Sequence, residues 1–124
     1  MLTYTPRRKG RGTGPSDAVV EEVLARSGPA CELCGHLLGN RRGVDYSIHH
    51  RRPRQMGGTR WAGINLPSNL MVVDGSGTTG CHGDIESHRA DAIAAGLLVP
   101  AGADPARIPI LLHRARWTYL TDDA

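Results

Sequence analysis

Two cysteines separated by two residues, Cys31 and Cys34, lie in the turn-rich stretch Cys31-Glu32-Leu33-Cys34-Gly35. This is the spacing of a zinc knuckle, in which two thiolates from one tight turn reach a single tetrahedral ion at about 2.3 Å each. Cys81 is the remaining thiol and can complete three ligands of one site. Three is an odd number of cysteines, and no apolar stretch follows the basic N-terminus MLTYTPRRKGRG, so a secreted disulfide framework is not expected and metal ligation is. A redox dithiol would open a helix in a βαβ setting, whereas here a helix is expected before the pair. The histidine pair of a zinc finger, about three to five residues apart on a helix, is also missing, because His49 and His50 are adjacent. Deaminase zinc sites place H-x-E ahead of P-C-x-x-C, and here the C-x-x-C pair comes first and lacks the proline.

A metal cross-link answers a need. The protein has 124 residues, enough for one domain, with no Phe, 16 Gly and 8 Pro, so its apolar core must be small and interrupted by turns. Residues 1–15 read as a flexible basic arm and 16–124 as the domain. A helix is expected from the N-cap Ser16 to about Ser27, with Val19, Val20, Val23 and Leu24 on one face and Gly28-Pro29 as its stop. An extended stretch from Val44 to His50 precedes a long loop, Arg51 to Asn69, rich in Gly and Pro. A strand from Leu70 to Val73, a glycine-rich turn, and a helix from His82 to Ala95 ending at Gly96 follow. The apolar runs Ile108 to Leu112 and Trp117 to Leu120 suggest a terminal β-hairpin. No run approaches the roughly 18 apolar residues of a membrane span, and a cytoplasmic protein is expected.

Charge is uneven along the sequence. Fourteen of the 15 basic residues are Arg, whose planar fork matches phosphate in a bidentate manner. Between residues 41 and 60 stand Arg41, Arg42, Arg51, Arg52, Arg54 and Arg60 against the single acid Asp45, which points to a polyanionic partner. Arg7, Arg8, Lys9 and Arg11 form a second group, read either as a solubilising arm or as one that lies along nucleic-acid phosphates.

His49-His50 stands at the head of the basic window. On an extended strand adjacent side chains point to opposite sides, so one imidazole can hold a metal while the other acts as a general base near neutral pH. Downstream come Asn69 just before an apolar strand and Gly80-Cys81-His82-Gly83 opening a helix. With these pieces, H-H-R-R-P-R-Q-M-G-G, N-L and G-C-H-G, the span Cys31 to Arg89 resembles the HNH endonucleases, most of all the small single-domain members encoded by actinobacterial phages. The resemblance implies an α+β fold with a ββα-metal core, here the zinc knuckle and motif core 31–96 flanked by an N-terminal helix and a C-terminal hairpin. It assigns His49 and His82 as metal ligands, His50 as general base and Asn69 as the residue that orients that base. It implies DNA as substrate, 5′-phosphate and 3′-hydroxyl products, the host cytoplasm as location, and a role in phage genome processing beside terminase proteins. A non-catalytic zinc-containing DNA-binding or packaging-adaptor module is the alternative.

Two positions depart from the family pattern. One helical turn beyond His82, where colicin-type members have His, stands Glu86, with His88 two residues further on. Positions i and i+4 share a helix face and i+6 lies about 120° round, which favours Glu86 as third ligand over His88 and Mg²⁺ or Mn²⁺ over Zn²⁺ or Ni²⁺. Asp74 occupies the place where many zinc-bearing relatives have a fourth cysteine, so a structural zinc would be held by Cys31, Cys34, Cys81 and Asp74, with His36 as the competing fourth ligand. Arg51, Arg52, Arg54 and Arg60 are expected to track flanking phosphates.

Overall fold

The computed structural model describes residues 14–53 and 61–123. Helix α1 spans Asp17–Ser27, and the Ser16 hydroxyl caps it by accepting from Val19 N at 3.3 Å. It ends as expected: Gly28 adopts φ 64°, a left-handed conformation that glycine takes without a Cβ penalty, and its N–H bonds the Leu24 carbonyl. The knuckle follows, closed by bonds from Cys31 N to His36 O and from Gly35 N to Cys31 O.

Strand β1, Tyr46–His50, pairs antiparallel with β2, Leu70–Asp74, with His49 opposite Met71 and His50 opposite Leu70. Alternation along β2 divides the core. Met71 and Val73 join Cys31, Ile85, Leu98 and Ile110 in the larger cluster, while Leu70 and Val72 pack against Val23 in the smaller one. A strand that buries both faces explains the unbroken apolar run Leu-Met-Val-Val. Glu32 borders β2 on the knuckle side, exchanging backbone and carboxylate bonds with Val72, and its carboxylate is clasped by Arg26 from α1.

Helices α2, Gly80–Ser87, and α3, Arg89–Ala94, replace the single helix expected from His82 to Ala95. The break falls at His88, whose backbone leaves the helical region at φ −127°, ψ 58°. Its ring Nδ1 sits 3.1 Å from the Asp84 carbonyl, capping the helix that has just ended. Gly96 follows at φ 75°, in the expected position after the second helix. The terminal hairpin is present: β3, Ile110–Leu112, pairs antiparallel with β4, Arg116–Thr118.

The described residues therefore form a small α+β structure with three α-helices and two two-stranded antiparallel sheets. Among them no helix is long and apolar enough to cross a membrane. The expected basic arm lies, apart from Gly14 and Pro15, outside the described residues.

Candidate metal centres and the residues around them

Helix α2 serves two clusters from its first turn. Cys81 joins Cys31, Cys34 and Asp74, whose ligand atoms all lie within 4.8 Å of one another, a group that could hold a metal ion such as zinc. The fourth member is thus Asp74 and not His36. The Cys34 thiol donates to Asp74 Oδ2 at 3.0 Å, and Asp74 Oδ1 accepts from Cys81 N at 2.6 Å, tying the helix start to the end of β2. Burial, with the bond to Asp74, pushes the Cys34 thiol up to about 11, and burial also pushes Cys81 up. Burial opposes ionisation of Asp74 too, but the bonds from the Cys34 thiol and the Cys81 backbone outweigh it and hold the carboxyl below its ordinary range. Three thiols and a carboxylate around one point suit a divalent cation, whose charge would favour the deprotonated sulfurs.

The next residue along the helix, His82, enters a second cluster with His49 and Glu86, again within 4.8 Å. His49 is 2% exposed and its Nε2 lies 2.7 Å from the Leu97 carbonyl. A carbonyl can only accept, so Nε2 carries the proton and Nδ1 the lone pair, the arrangement by which metal-bound histidines are usually oriented. Burial pushes His49 down to about 4, and burial lowers His82 against the opposing charge of Glu86. His82 Nδ1 is the one buried side-chain nitrogen or oxygen among the described residues with no hydrogen-bond partner. Leaving such an atom unsatisfied costs on the order of 1–3 kcal/mol, a deficit that a bound cation would remove. Glu86 also accepts from Arg89 at 2.8 Å. His88, the competing third ligand, caps α2 and stands outside the cluster.

His50 follows His49 on β1, half-buried, with Nε2 2.8 Å from Asn65 Oδ1. Asn69, the residue expected to orient His50, bonds elsewhere: Oδ1 accepts from Arg52 N at 2.7 Å, and Nδ2 donates to Arg52 O and Ile64 O. Its amide is fully buried and shapes the loop around the site, while Asn65 makes the contact. Sequence reasoning missed Asn65, a lone polar residue in an irregular loop that carries no period and no spacing signal.

The basic window also needs correction. Arg51 is not a surface residue: it is 0% exposed, and its guanidinium donates to the carbonyls of Gly96, Ser68, Pro105 and Ile108. Burial, with Arg26 nearby, pushes its pKa down to about 10. A guanidinium bonded to four carbonyls in the interior cannot reach a phosphate. Arg52 lies over the Trp61 ring at 4.2 Å, a cation–π stack. Arg54 and Arg60 fall outside the described residues.

No family model, curated protein or solved structure matches this protein.

Proposed function

We propose that the protein is a divalent-metal-dependent DNA endonuclease of the HNH kind, with β1, β2 and α2 as its ββα-metal core. The reading rests on one juxtaposition: His49, His82 and Glu86 bring a ligand atom each within 4.8 Å of one another, the buried His82 Nδ1 lacks a hydrogen-bond partner, and His50 stands next along the strand with its ring held separately. An imidazole beside a cation site, oriented by a second side chain, is the pairing that phosphodiester hydrolysis needs.

A divalent ion held by His49, His82 and Glu86 would act as a Lewis acid for the charge that develops on the phosphate and leaving oxygens. His50 takes a proton from water as the water oxygen bonds to phosphorus. The bond to the 3′ oxygen then breaks, and that oxygen takes a proton from solvent, leaving 5′-phosphate and 3′-hydroxyl ends. Arg52 remains the described candidate among the expected phosphate contacts. Zinc at Cys31, Cys34, Cys81 and Asp74 has a structural role in this reading, since its donors are largely sulfur and bind the knuckle to α2.

Supercoiled plasmid incubated with the protein in EDTA, Mg²⁺, Mn²⁺ or Zn²⁺ tests the proposal. Nicked or linear DNA should form with Mg²⁺ or Mn²⁺ and not in EDTA. His50→Ala should lose about 10²–10⁴-fold in turnover while binding DNA and metal as before. A His50→Ala protein that keeps a tenth of the native rate at saturating metal would remove His50 as the base. A protein that binds zinc yet cuts DNA in no metal would instead be a non-catalytic module.

A further inference from the structure

We propose that Asn65 is the positioning residue of His50, fixing which ring nitrogen takes a proton, and that Asn69 acts one step back by holding the loop from which Asn65 reaches. The inference rests on the reading of His50 as general base and adds to it the identity of the proton-accepting atom.

A histidine at the end of a strand has two neutral tautomers and can rotate about its side-chain bonds, so a base needs a partner that selects one arrangement. The Asn65 amide oxygen, 2.8 Å from Nε2, can only accept. It therefore places the ring proton on Nε2 and the lone pair on Nδ1, and Nδ1 is the atom that takes the proton from water.

The backbone around Asn65 is built to keep it there. Ile64 N–H bonds the Trp61 carbonyl at 3.3 Å, and Leu66 N–H bonds the Gly63 carbonyl at 3.1 Å, so two successive turns bracket Asn65. The Ile64 carbonyl accepts from Asn69 Nδ2 at 2.9 Å, and the same Asn69 amide holds Arg52 through both its N–H and its carbonyl. One buried amide thus grips the residue just before Asn65 and the residue two beyond His50. The duty expected of a single asparagine is divided: Asn69 sets the distance between two backbones, and Asn65 sets the orientation of the ring.

The two roles separate experimentally. In the full-length protein labelled with ¹⁵N-histidine, long-range proton–nitrogen spectra read the His50 tautomer directly, with His50→Gln assigning the signal. The native protein should show His50 protonated on Nε2. Asn65→Leu should give a mixture of tautomers and lower kcat for plasmid cleavage about 10–100-fold. Its KM should stay within about twofold of native, as expected when only proton transfer is impaired. Asn65→Asp, which keeps the acceptor, should retain most of the native rate and the Nε2–H tautomer, and neither variant should move the melting midpoint. Native His50 protonated on Nδ1 overturns the inference even if Asn65→Leu fails to fold. So does an Asn65→Leu protein that keeps the pure Nε2–H form and the native kcat. If DNA is cut while the tautomer is unmoved, this inference alone falls; if no metal supports cutting, the endonuclease reading falls and takes it along.

Discussion

Arg51 and Arg52 are adjacent in one basic run, yet Arg51 is buried among carbonyls while Arg52 stacks on Trp61. Arg51→Met would leave four carbonyl groups without their shared donor, so unfolding in urea should show a loss of about 3–5 kcal/mol. If the protein binds DNA as proposed, the same variant, where it folds, should keep the native salt dependence of that binding, because Arg51 touches no solvent. Arg52→Gln should instead flatten that dependence by about 0.9 in log–log slope if Arg52 meets one phosphate. Among the ligand candidates, His82→Ala should act mainly on metal affinity, so that raising Mn²⁺ recovers part of the cleavage; an unchanged metal titration would place His82 outside the site. The grouping of His82 with Glu86 was legible in the sequence because residues four apart share a helix face. The burial of Arg51 was not, because its acceptors lie 17 to 57 positions away in sequence.

Helix α2 is the element on which both clusters depend, since its first turn supplies Cys81 to one and His82 to the other. That turn is packed tightly against the preceding segment: a Cβ on Gly83 would stand 2.6 Å from the Thr78 carbonyl carbon. Backbone on both sides of that contact leaves no side chain to yield, so Gly83→Ala should displace the turn and weaken both centres together. Titration with Co²⁺ distinguishes this from a local effect, because the sulfur-bound ion absorbs differently from one bound by nitrogen and oxygen. Gly83→Ala should impair both signals, whereas His82→Ala should spare the thiolate signal. The start of this helix was readable from Gly80-Cys81-His82-Gly83, but its end was not. The apolar spacing continues through Ile85, Ala92 and Ile93 as if uninterrupted, and only the backbone at His88 reveals two helices.

At the scale of the molecule, the sulfur cluster joins the knuckle, the end of β2 and the start of α2, three segments that also meet in an apolar core without Phe. Structural zinc sites carry apparent binding energies of roughly 10–16 kcal/mol, comparable with the stability of a whole domain. About one tightly held zinc per molecule is expected by metal analysis, and Cys31→Ser should unfold or aggregate although Cys31 lies outside the cluster proposed for cleavage. Asp74→Cys should hold the ion as well or better, and Asp74→Ala should release it at lower chelator concentration. Soluble protein that cuts DNA with no zinc present would refute the structural site and leave the thiols as ordinary packed side chains.

What the sequence determined by itself was much of what depends on near neighbours, the break between α2 and α3 at His88 excepted. The knuckle, α1 with its Ser16 cap and Gly28 stop, the apolar strand β2, the terminal hairpin and the i, i+4 pairing on α2 all follow from spacing within a turn or a strand. The resemblance implied that His49 would meet His82 and that Cys31 and Cys34 would meet Cys81 and Asp74, and the other meetings across the fold were decided only by tertiary structure. Asn65 reaches His50 over 15 positions because the loop is closed by Asn69, and Arg51 is drawn inside by carbonyls from four separate residues. The physical reason is the same in each case: periodicity records which face a side chain occupies, and it carries no information about what the rest of the molecule brings to that face.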